Sequence, residues 1–165
     1  MKKLLFVLVV FSLNAFGQTK QEIKDDLEWV ALTLQNYSKN YAFDDIRGKF
    51  YKTCKTDYDE NKLTITTHFY NPDGSKINSF LIQFSKLSST NALFNSDNND
   101  ITIYFGDMLD MKNKSEIVVY DENSRSILTG YMFTISNEGE PFVWKKMKEK
   151  LEKIRNYANK SVKAK

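Results

Sequence analysis

The chain of 165 residues has one cysteine, Cys54, one histidine, His68, two prolines and six glycines. A single cysteine excludes an internal disulfide framework, so stability has to come from packing. One thiol and one imidazole cannot make a tetrahedral zinc site without two carboxylates, and no ligand pair has the usual spacing. The glycines are scattered singly, so no phosphate-cradling loop is present, and no G-x-S-x-G, S-x-x-K or H-E-x-x-H pattern occurs. The most apolar run, Leu4 to Leu13, is about half the roughly 20 residues of a membrane-spanning helix. These absences leave little catalytic chemistry. No cofactor and no metal are expected, and the chain reads as a non-enzyme.

What the first residues do contain is an export signal. "MKKLLFVLVVFSLNAFGQ" has basic Lys2 and Lys3, an apolar run, and Ala15 and Gly17 at the small-residue positions of a cleavage site. We therefore expect 1–17 to be a cleaved signal peptide and 18–165 to be a single globular domain, exported to the periplasm or beyond the cell. No transmembrane segment is expected in that mature chain. Its size suits one domain with a substantial core. The formal net charge of +3 includes Lys2 and Lys3, so the mature chain is nearly neutral. The charge is uneven, however: from Lys145 onward nine Lys or Arg face only Glu149 and Glu152. Near-neutrality and the lack of a binding motif argue against nucleic acid.

Thr19 and Glu22 form a capping-box pattern, and Ile23, Leu27, Val30, Leu34, Tyr37 and Tyr41 then step by four and three. That predicts an N-terminal amphipathic helix. Strands are predicted over 49–56, 63–70, 76–87, 101–105, 116–120 and 127–135 from their β-forming residues and period-two alternation. "NPDG", Asn71 to Gly74, predicts a turn. Trp144, Met147, Leu151, Ile154 and Ala158 give a second amphipathic helix, with Pro141 at its start. The expected fold is α+β: an antiparallel meander sheet of about six strands flanked by the two helices. A strongly curved sheet closed by the terminal helix is the alternative. It resembles pleckstrin-homology-like domains in element order, although no motif of that family is present.

Cys54 and His68 invite comparison with a nucleophile–base pair. "DYDEN", Asp57 to Asn61, predicts a hairpin connection. With its centre near Asp59, His68 falls opposite about Phe50. Cys54 then lies four residues farther along, about 13 Å away at roughly 3.3 Å per residue, whereas a working pair needs hydrogen-bonding distance. Cys54 is therefore expected to be a small buried strand residue, with an intermolecular disulfide or reactive thiol as the alternative. His68 is expected on the more polar strand face. "NSDNND", with Asn95, Asp97 and Asn99, has Asp100 where a calcium loop needs glycine. Asp107 and Asp110, at i, i+3 spacing, are the most plausible carboxylate pair.

Aromatics make up 14% of the chain, more than a core of this size needs. Tyr51, Tyr58, His68, Tyr70, Tyr104 and Tyr131 are therefore candidate contacts for a protein partner or small ligand at a sheet face or loop rim. The alternative expectation is an envelope-associated structural protein that docks through its basic C-terminal helix, with weak contact to an anionic surface. Against this stands a structural role for that helix, with its apolar stripe covering the sheet and its lysines solvated.

Overall fold

A computed structural model describes residues 19–38, 53–71, 73–97, 99–106, 119–121, 126–128, 130–137 and 142–163. The expected signal segment, Tyr51, Asp107 and Asp110 lie outside them.

The capping box forms at the start of helix α1, Lys20–Tyr37. Glu22 N donates to Thr19 Oγ1 at 3.2 Å, and Thr19 N donates to Glu22 Oε2 at 2.9 Å. Two otherwise orphaned amides are thereby satisfied reciprocally. Ile23, Leu27, Val30, Ala31 and Leu34 are buried, so the predicted apolar stripe is the face that packs. The helix stops at Ser38, whose N–H still bonds Leu34 O at 3.1 Å.

The strands are β1 (Thr53–Asp59), β2 (Thr64–Tyr70), β3 (Lys76–Gln83), β4 (Thr90–Asn95), β5 (Asp100–Gly106), β6 (Val119–Asp121), β7 (Ser126–Leu128) and β8 (Gly130–Ser136). Helix α2, Val143–Lys163, follows them. The turn between β2 and β3 forms where "NPDG" predicts it. Gly74 N bonds Asn71 O at 2.9 Å, and Gly74 takes φ of 85°, a conformation that glycine reaches without steric cost.

The architecture is α+β with antiparallel strands, but the strands do not make one meander. They divide into a five-stranded sheet, β1-β2-β3-β6-β7, and a three-stranded sheet, β4-β5-β8. The division begins at Phe84–Lys86, a 3₁₀ turn closed by Leu87 N to Phe84 O at 3.3 Å. Phe84 and Leu87 are both buried. Alternation continues through Phe84, which is why the strand is predicted to run to Leu87. The hydrogen-bond ladder nevertheless ends at Gln83, and the chain turns into the second sheet. The stretch predicted as one strand over 127–135 likewise splits, into β7 and β8 in different sheets. β4, interrupted by Asn91 and Asn95, is not predicted at all.

The inner faces of the two sheets meet in an aromatic core. The Phe69 and Phe133 rings lie 5.7 Å apart across the sheets. Phe84 and Phe105 pack edge to face at 6.3 Å, within the favourable range for ring pairs. Helix α1 packs on β1 and on α2, while α2 packs on β4 and the 3₁₀ turn. Met147, Leu151 and Ile154 of α2 are fully buried.

Candidate functional site

The β1–β2 hairpin is closed by the side chain of its last β1 residue. Asp59 Oδ1 accepts from Asn61 N at 2.9 Å and Lys62 N at 3.1 Å. The backbone N–H groups of Lys62 and then Asn61 hold the Asp59 carboxyl below its usual range. The turn is Glu60 to Leu63, so its centre lies beyond Asp59. Register shifts accordingly: His68 lies opposite Lys55, and Cys54 lies opposite Phe69.

This corrects the expected separation of Cys54 and His68. His68 does not face Phe50; it faces the residue next to Cys54. What keeps the two apart is the strand pleat, which sends alternate side chains to opposite faces. Cys54 points into the core, 7% exposed. Burial there raises its pKa to about 12, with a side-chain hydrogen bond involving Ser38 acting the other way. A thiol so placed packs in the core, and its burial disfavours the thiolate.

His68 points to the outer face, opposite the side that α1 occupies. It is also opposite Ser79 on β3. The His68 Nδ1 to Ser79 Oγ distance is 2.6 Å, and Nε2 lies 3.0 Å from Asp57 Oδ2. An ionised carboxylate only accepts, so Nε2–H donates to Asp57; in the neutral ring Nδ1 then accepts the Ser79 hydroxyl proton. Three strands thus contribute one group each to a continuous row. Beside it, Lys55 Nζ lies 5.5 Å from the centre of the Tyr70 ring, a cation–π distance.

The residue types are those of a nucleophile, a base and an orienting acid, but their exposure to solvent differs along the row. Ser79 is 4% exposed, leaving its hydroxyl little surface for an incoming group. The Asp57 side chain is 80% exposed and that of His68 19%, so the carboxylate end of the row lies open to solvent. The row holds the imidazole in one orientation and one tautomer, with an aromatic ring and an ammonium group alongside.

The six residues proposed as contacts do not share one surface. His68 and Tyr70 lie on this outer face. Tyr58 lies on the other side of β1, where its hydroxyl donates to Glu28 Oε1 at 2.9 Å. That bond and the neighbouring negative charge push the phenol's pKa up. Tyr104 stands on β5 of the other sheet, between Asn91 and Met132. Tyr131 pairs with Phe105, and its side chain lies outside the description, as does Tyr51. Sequence reasoning missed Lys55, Asp57 and Ser79. Period-two alternation across three strands would have aligned them once the turn was centred beyond Asp59.

The residues likened to a calcium loop are engaged in closing the β4–β5 turn. Asp97 N donates to Asn95 Oδ1 at 3.0 Å, and Asn99, at φ of 53°, accepts from Asn137 N at 3.0 Å. Among the described residues no group of three His, Cys, Asp or Glu is placed to hold a metal ion. In α2, Lys150 pairs with Asp26 of α1, and Arg155 Nη1 donates to Ser88 O at 3.1 Å. Lys153 pairs with Glu149 at 2.6 Å. Lys150, Lys153 and Arg155 are therefore engaged in contacts within the molecule. Among the described residues no helix is long and apolar enough to cross a membrane. No family model, curated protein or solved structure matches this chain.

Proposed function

We propose that this chain is an exported, non-catalytic binding domain whose contact surface for a protein partner or small ligand is the outer face of the five-stranded sheet. The observation that carries this reading is His68, fixed from both sides by Ser79 and Asp57 with Lys55 and Tyr70 next to it. Oriented polar groups beside an aromatic face are what recognition sites place on rigid elements, because little ordering entropy remains to be lost on binding. The export half of the reading rests on the basic, apolar and small-residue order of 1–17. The two-sheet arrangement with a turn at Phe84 is compatible with a rolled architecture, in which this face lies away from helix α1.

The experiment is a two-dimensional amide NMR titration of 18–165 with a panel of short peptides and simple sugars. Shifts are expected to cluster at Lys55, His68, Tyr70 and Ser79, and to disappear in His68→Ala and Tyr70→Ala. Shifts confined to the three-stranded sheet would refute the assignment. Hydrolysis of a p-nitrophenyl ester that is lost in Ser79→Ala would refute the non-catalytic half.

The second reading, an envelope-associated protein docking through its basic C-terminal helix, is favoured by the charge of residues 145–165. The burial of Met147, Leu151, Ile154 and Ala158 assigns most of that helix to the core. Any docking surface must then lie at its end or on its outward face.

A further inference from the structure

Phe142 precedes helix α2 and, among the described residues, is the most exposed large apolar side chain, at 63%. Its φ is 73°, in the left-handed region, where bulky side chains are strained and glycine or asparagine is preferred. Its carbonyl accepts from Lys145 N at 3.0 Å and Lys146 N at 3.3 Å, so it caps the helix start. Capping uses only the backbone there, and the ring packs into no core. Neither role explains a phenylalanine.

The ring does have neighbours. Lys145 Nζ lies 4.9 Å from the Phe142 ring centre and 5.4 Å from that of Trp144. Trp144 stacks on Phe94 at 6.5 Å and 12°, and Phe94 is itself 39% exposed. Lys148, also exposed, follows one turn later on the same side as Lys145 and Trp144. Among the described residues neither Lys145 nor Lys148 has a carboxylate partner.

We infer that this corner of the fold is a docking tip for an anionic lipid bilayer: Phe142 and Phe94 enter the headgroup–acyl boundary, with the partly buried Trp144 supporting Phe94 from the core side, while Lys145 and Lys148 meet lipid phosphates. The charge supports it. Val143–Lys163 carries eight Lys or Arg against Glu149 and Glu152. Aromatic rings partition into the bilayer interface, and nearby ammonium groups gain from the negative surface potential. A soluble polyanion would use the lysines but give exposed rings nothing to enter. The tip is independent of the His68 surface and stands or falls without it.

The test is cosedimentation of 18–165 with vesicles of phosphatidylglycerol and phosphatidylcholine, against phosphatidylcholine alone. Binding is expected to the anionic vesicles only and to weaken as salt rises from about 0.1 M to 1 M. Lys145→Gln and Lys148→Gln are each expected to weaken it about five-fold. Phe142→Gly is expected to weaken it about ten-fold while leaving the thermal melt as high or higher, because glycine accepts the left-handed backbone. His68→Ala and Met132→Ala, elsewhere on the molecule, are expected to bind as the parent does. Absence of sedimentation overturns the inference. So does full binding by Phe142→Gly, which would leave only nonspecific attraction of lysines to charge. Equal loss in Met132→Ala would also overturn it.

Discussion

Thr67 is one of the described residues with a buried polar atom that finds no hydrogen bond. It sits on the core face of β2, between Thr56 and Phe80, fully buried. Thr56 Oγ1 reaches Ala31 O at 2.7 Å, but Thr67 Oγ1 has no partner among the described residues. A buried hydroxyl without a hydrogen bond costs its full desolvation. Thr67→Val keeps the shape and removes that cost, so it is expected to raise stability by about 1 kcal/mol, measured by urea denaturation with an unchanged m-value. Phe142 carries the opposite kind of cost. A left-handed residue other than glycine is strained by roughly 1–2 kcal/mol, and nothing in the fold collects a return on it. Local cost without local gain is where function is expected to be stored.

At the scale of elements, the β1–β2 hairpin decides which groups meet. Asp59 is the device that sets its register, since its carboxylate accepts the two N–H groups that begin the turn. Those bonds lower its folded pKa below the unfolded value. Their contribution is therefore complete above the ordinary aspartate pKa, about 3.9, and is lost as pH falls through the lower folded value. Asp59→Asn removes the charge and keeps the side-chain size. The parent is expected to melt higher than this variant at neutral pH, with the gap closing as pH is taken down past the ordinary aspartate range; a gap that widens in acid would contradict the assignment. The same hairpin explains the fate of Cys54 and His68. They are diagonal neighbours in the ladder and strangers in space, because one strand step changes face.

For the whole molecule, the two helices pack on each other and on strands of both sheets, and the ion pair between Asp26 and Lys150 is a polar link between the helices. Both side chains are largely removed from water, and Lys150 also lies 5.5 Å from the Trp29 ring. Asp26→Ala leaves the ammonium uncompensated and is expected to cost about 3 kcal/mol by chemical denaturation. Asp26→Leu combined with Lys150→Met is expected to recover most of that loss, since apolar residues of similar size fill the space without charge to desolvate. If the double variant is as unstable as the single, the pair is not what couples the helices. Removing 145–165 would take Met147, Leu151, Ile154 and Ala158 out of the core at once, so truncation cannot separate docking from folding. The point substitutions at Phe142, Lys145 and Lys148 can.

Local signals determined both helices, the "NPDG" turn and most strands, because capping, periodicity and turn chemistry act over a few residues. Thr19 with Glu22, and Gly74 after Asn71, form as they read. The buried sets Ile101, Ile103 and Phe105, and Met147, Leu151 and Ile154, follow from spacing alone. Only the tertiary structure decided that the strands split into two sheets, since alternation passes through Phe84 unchanged while the ladder stops. It also decided that Asp57, His68 and Ser79 share a row and that the candidate tyrosines scatter over several surfaces. Register depends on where a turn is centred, and a shift of a few residues in Asp59's role is invisible in a linear pattern. The face a side chain occupies is local; the partner it finds there is not.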